Sequence, residues 1–148
     1  MPLPKQKFRE LVLLLLYSHD FSQGEEEDCL NLVMQELKVS KKHLLEAQNL
    51  RRAVEAKKEA IDAEIQTNAT AYEFERIPGI ERNILRLGAY EILYSQEIPG
   101  KVAIAEAIRL SRKFASPESA TFVNAVLDAI YRKSQDVVGT ATEGQTLK

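Results

Sequence analysis

Side chains able to do chemistry are thinly spread along these 148 residues, which include two histidines, His19 and His43, and one cysteine, Cys29. A zinc site needs three or four ligands. These three lie in separate segments, so no metal site is expected. Cys29 stands beside Leu30 in an apolar stripe and reads as a small buried hydrophobe. A lone cysteine closes no internal disulfide, which suits a reducing compartment. Carboxylates are plentiful, but no pair sits in the isolated apolar setting that raises a pKa for acid–base work. The chain has no GxGxxG, no GxxxxGK followed by Ser or Thr, and no GxSxG, so neither a nucleotide cradle nor a nucleophile elbow is supported. An enzyme is not expected, and no cofactor is implied.

What remains is the chemistry of holding RNA, which needs cations for phosphates and planar groups for bases. Lys5, Lys7 and Arg9, with Phe8 interleaved, form a short basic arm. Arg109, Arg112 and Lys113 come just before Ser116–Pro117–Glu118, the clearest helix start in the chain: a cap, a proline at the first position and an acid in the first turn. Such a start offers free N–H groups and a positive dipole end to an anion, and Glu118 opposes a second anion there. The formal net charge of −2 does not demand a nucleic acid. The basic run over 38–58 reads as a solvated helix surface.

These groups need elements to position them. Pro4 can open a first helix, with Phe8, Leu11, Val12, Leu15 and Leu16 at helical spacing. The acids at 25–28 suit the start of a second helix. Ser40 is a cap for a long helix from about Lys41 into the high sixties. Pro78–Gly79 marks a turn, and Ile80 to Tyr94 is apolar nearly all round, the mark of a central helix. Gly88 within it costs about 1 kcal/mol against Ala and implies close approach of a neighbour. Arg86 in the same helix would need a carboxylate if buried; Glu91 and Glu106 are the candidates. Ile98–Pro99–Gly100 is a second turn, followed by a helix to Phe114 and the last helix from Ser116. Periodicity vanishes from Gln135, so a flexible tail is expected over 135–148. No strand-like alternation is sustained. The expectation is an all-α fold of about six to seven helices packed as two small bundles, a single domain over 1–134 with subdomains of about 1–70 and 76–134. The apolar run Leu11–Tyr17 is far shorter than the roughly 20 residues a membrane span needs, and SHDFSQ after it holds no small-x-small cleavage pattern. A soluble, cytoplasmic protein with no membrane partner is expected.

Residues 76–131, RIPGIERNILRLGAYEILYSQEIPGKVAIAEAIRLSRKFASPESATFVNAVLDAIY, resemble the NusB family of transcription antitermination factors. The likeness lies in the ordered succession IE–ILR–YE, then IP, then an INEA-like segment, then S-x-x-FVNGVLD. The segment FRELVLLLLYSHDF resembles the family's opening helix, which ends in LY. Ile104–Ala105–Glu106–Ala107 stands where INEA is usual, and Ala115 and Ala125 stand where glycine is usual. The resemblance implies two packed helical bundles and binding of boxA-type RNA together with the ribosomal protein NusE, within an RNA polymerase antitermination complex. It implies RNA-binding roles for Lys5, Lys7, Arg9, Tyr17, Lys113, Ser119 and Phe122. Glu75, Arg76, Glu81 and Arg82 are the expected partner interface. A helical protein–protein scaffold of the same fold, without RNA binding, is the alternative.

Overall fold

The structure, a computed structural model, describes the backbone of residues 3–21, 38–70 and 72–146, with side chains for 3–20, 38–70 and 72–136. Among the described residues six α-helices follow in order: α1 (Lys5–Phe21), α2 (Lys41–Ala56), α3 (Lys58–Asn68), α4 (Gly79–Tyr94), α5 (Gly100–Phe114) and α6 (Pro117–Thr146), with a 3₁₀ turn at Phe74–Arg76 before α4. The fold is all-α, and no strand occurs among the described residues. The expected helix over the acids at 25–28, and the burial of Cys29, fall outside the described residues.

Local start signals act where their chemistry places them. The Ser40 hydroxyl accepts from the His43 amide at 3.3 Å, and the Ser116 hydroxyl accepts from the Ser119 amide at 3.1 Å. Each satisfies one of the orphan donors of a first turn. The Phe8 amide reaches the Pro4 carbonyl at 2.9 Å, so Pro4 opens α1 as its fixed φ allows.

α4 touches all five other described helices, which explains why its sequence is apolar nearly all round. Ile84, Leu85, Leu87 and Ala89 are buried in a core that also takes Leu11, Leu13, Val54, Ile61, Ile65, Leu110, Val123, Leu127 and Ile130. Both halves of the chain contribute to this single core. At Gly88 an added Cβ would stand 2.7 Å from Leu127 Cδ1 and 3.6 Å from Ala107 Cβ. The missing side chain therefore makes room for Leu127 of α6 against α4, the close approach its mid-helix position implied.

Two expectations are corrected. The helix expected to run unbroken from Lys41 to the high sixties turns at Lys57, which leaves helical geometry (φ −108°, ψ 11°) and bonds the Val54 carbonyl at 3.1 Å. No Gly or Pro marks the break; instead the Lys57 ammonium lies 5.4 Å from the centroid of the Tyr94 ring, a tertiary cation–π contact that local pattern cannot announce. Arg86 pairs with neither Glu91 nor Glu106. Its Nε and Nη2 donate to the two carboxylate oxygens of Asp62 at 2.8 and 3.1 Å, with Asp20 3.6 Å away. The last helix is described as far as Thr146.

Candidate nucleic-acid interface

The basic arm forms the first turns of α1, and there its residues part company. Arg9 stands four residues before Leu13 and seven before Leu16, both buried, so helical periodicity turns it into the core. It is only 7% exposed. Its Nε donates to Glu91 of α4 at 3.2 Å, and Nη1 lies 3.7 Å from Glu106 of α5. Burial pushes the Glu91 carboxyl above its ordinary value, while the charge and hydrogen bond of Arg9 pull it back and the charge of Glu106 raises it. Arg9 is thus a structural cation joining three helices rather than a surface one. The two acids expected to pair with Arg86 are its partners.

On the neighbouring face of α1, Glu10 draws in the end of α5. Lys113 forms an ion pair with Glu10, and Arg109 lies 3.7 Å from the same carboxylate. Arg109 also donates to the Gln6 carbonyl at 3.2 Å and to Glu106 at 2.8 Å. Lys7, three residues before Glu10, shares its side of the helix. Lys113 remains exposed despite its pairing with Glu10. Lys5 does not join them: five residues of helix rotate it about 140° from Glu10. It lines a recess with Ser40, Lys42 and His43 at the start of α2, and another with Pro99 and Val102.

At the opposite end of α1, Tyr17 packs on the first turn of α4, where a Cβ added to Gly79 would meet its ring at 3.2 Å. Next to that turn begins α6. The Ser119 hydroxyl, buried at 6% exposure, donates to Glu81 Oε1 and accepts from the Ser116 hydroxyl. One expected RNA residue and one expected partner residue thus hold each other. Phe122 is half-buried at the edge of the core and meets Tyr72 edge-to-face, ring centroids 5.0 Å apart and planes at 87°. Of the other residues expected at a partner interface, Glu75 and Arg76 are exposed, whereas Arg82 is half-buried, its guanidinium 5.5 Å from the Phe74 centroid. Arg76 lies 3.5 Å from Glu73.

Tyr72 is the residue sequence reasoning missed. It sits between α3 and the 3₁₀ turn, where no periodicity assigns it a face. Among the described residues no group of His, Cys, Asp and Glu could hold a metal ion, and no helix is long and apolar enough to cross a membrane.

With this geometry in place, comparison with known proteins gives a consistent result. Residues 6–132 match the model of the NusB family. The chain is 36% identical over 131 residues to the transcription antitermination protein NusB of Chlamydia pneumoniae, covering 88% of this chain and 82% of that one. It is 33% identical over 139 residues to the transcription antitermination protein NusB of Trichlorobacter lovleyi, covering 94% and 98%. Among solved structures, T. maritima NusB aligns with a TM-score of 0.73 at 30% identity, over 89% of this chain and 93% of that one. A crystal structure of the antitermination factors NusB and NusE in complex with dsRNA aligns with a TM-score of 0.74 at 26% identity, over 87% and 96%.

Proposed function

Because the chain belongs to the NusB family, we propose that it acts as a transcription antitermination factor, binding boxA-type RNA jointly with the ribosomal protein NusE and catalysing no chemical step. It works in the cytoplasm, as part of an RNA polymerase complex that reads through terminators. The observation that carries this reading is the meeting of α1 and α5 at Glu10. There Lys113 and Arg109 converge on the first turns of α1, with Lys7 on the same side, so cations distant in sequence share one surface that a phosphate backbone could follow. Tyr17 and Phe122 lie at the other end of α1, around the first turns of α4 and α6, and complete the RNA face, while the buried Ser119, bonded to Glu81, positions that end. Glu75 and Arg76, on the 3₁₀ turn, are the accessible part of the NusE interface.

Lys113 is shared with Glu10, so RNA must compete for it, and weak binding without the partner protein follows. Titration of labelled boxA-type RNA, with and without NusE at two salt concentrations, tests this directly. Each phosphate contact on single-stranded RNA contributes about −0.7 to the log–log salt slope. Lys7→Glu and Lys113→Glu should each weaken binding and make the slope shallower by about that amount. Unchanged affinity in both would remove this surface from the interface. Arg9→Glu is no probe of it, since it would place a third acid against Glu91 and Glu106. A second reading, a protein–protein scaffold of the same fold, is favoured by the burial of Arg9 and the pairing of Lys113. It predicts no RNA shift in either condition while NusE still binds.

A further inference from the structure

The recess between the first turns of α1 and the start of α5 has the size of a small-ligand site. Its volume is about 360 Å³, where such pockets run from about 300 to 1,000 Å³. Phe8, Leu50, Ile98 and Val102 give it apolar walls. Two side chains that are more than nine-tenths buried, Arg9 and Glu91, also line it. Their mutual hydrogen bond uses only Arg9 Nε and Glu91 Oε2. Among the described residues, the two terminal nitrogens of Arg9 and the second oxygen of Glu91 make no hydrogen bond. Nη1 stands 3.7 Å from Glu106, an ion-pair distance rather than a bond. Polar atoms left without a partner in so dry a place cost free energy, and burial holds the Glu91 carboxyl above its ordinary value.

Charge decides what could complete them. Lys5 and Glu97, both exposed, line the same recess, and Glu106 adds a carboxylate beside Arg9. An anion would gain Lys5, Arg9 and the positive end of α5, but it would face Glu91, Glu97 and Glu106. A cation would gain those three acids and meet Lys5 and Arg9. A neutral group has no such conflict. Arg9 offers only donors and an ionised Glu91 only acceptors, so the matching group carries an acceptor and an N–H donor side by side. The ring of Phe8 suits a flat, aromatic body behind that edge.

We propose that this recess binds a small neutral molecule with a flat apolar body and a carboxamide-like edge, its oxygen accepting from Arg9 and its N–H donating to Glu91 Oε1. The site lies towards the C-terminal end of α4, whereas Glu81 is in the first turn of that helix. It needs neither RNA nor NusE, and it is independent of the RNA-binding reading above.

Benzamide is the probe, titrated into the full chain while proton–nitrogen NMR follows the Arg9 Nε–H and the Leu50 and Val102 amides. It should bind with a Kd of about 1 mM, well inside the ceiling for so small a ligand, and move those signals first. Methyl benzoate keeps the acceptor and loses the donor. It should bind at least about tenfold more weakly, since hydrogen bonds to charged groups are strong ones, and benzoate should be weakened as well. Val102 is 44% exposed, so Val102→Arg can crowd the recess without disturbing the core. It should weaken benzamide at least about tenfold, with an unchanged melting temperature showing that the variant is folded. No movement of the Arg9 signal up to about 10 mM benzamide, ten times the expected Kd, would overturn the site. Equal binding of benzamide and methyl benzoate would show that Arg9 and Glu91 do not read the ligand, and the proposal would fail. Tighter binding of benzoate would make the recess an anion site instead. Shifts that persist undiminished in Val102→Arg would place the probe elsewhere and end the proposal too.

Discussion

Arg9→Met should cost about 3–5 kcal/mol of folding stability at neutral pH, the usual consequence of stranding one member of a buried ion pair. Arg9 and Glu91 have side chains only 9% and 4% exposed, so solvent does little to soften the loss. The destabilisation should shrink as pH falls. Burial already raises the Glu91 carboxyl above its ordinary 4.5, and Arg9 works against that rise by charge and by hydrogen bond. Removing Arg9 therefore lifts it further. A carboxyl with a folded-state pKa above its unfolded one stabilises the fold below the unfolded value and loses that contribution as pH rises through the folded one. Relative to wild type, Arg9→Met should be least impaired near and below pH 4.5 and most impaired once Glu91 must ionise without a partner. Urea unfolding across this range reads the effect directly. Adding Glu91→Leu should restore much of the stability at neutral pH, since apolar replacement of both partners is often tolerated. A constant penalty at all pH values would mean that Glu91 does not carry the charge stranded by the mutation.

The second large effect concerns Arg86. Its double hydrogen bond to Asp62 ties α3 to α4, and Asp20 of α1 and Asn83 complete its surroundings. Arg86 is 7% exposed and Asp62 20%, so the pair is less shielded than Arg9–Glu91. Hydrogen bonds to charged groups are worth about 1.5–3 kcal/mol. Arg86→Met should therefore cost about 2–3 kcal/mol, and a double-mutant cycle with Asp62→Asn should return a coupling of at least about 1.5 kcal/mol. The corresponding cycle with Glu106→Gln should be additive within about 0.5 kcal/mol. Coupling to Glu106 and none to Asp62 would overturn the assigned partnership.

Arg86 and Arg9 also show where sequence reasoning reaches its limit. That Arg86 needs a carboxylate follows from its place in an apolar helix. Which carboxylate follows only from how α3, α4 and α1 cross, because Asp62 lies 24 residues away on a helix whose own break was unannounced. Features dictated by neighbours in sequence were legible: the caps at Ser40 and Ser116, the turn before α5, and the close approach that Gly88 permits. The burial of Arg9 had a usable signal. Its flanking lysines suggested an exposed arm, while its spacing to Leu13 and Leu16 pointed inward. Tyr72 offered no such signal, since its meaning depends on Phe122, 50 residues on, being folded against it.

The position of α4 carries a consequence for how ligands are met. A helix that touches every other described helix ties the two halves of the chain together on several sides, so a hinge between them would have to break several of these contacts at once. Recognition is then a matter of docking onto a preset shape, with adjustment confined to side chains and to whatever the incoming RNA or protein must itself fold to fit.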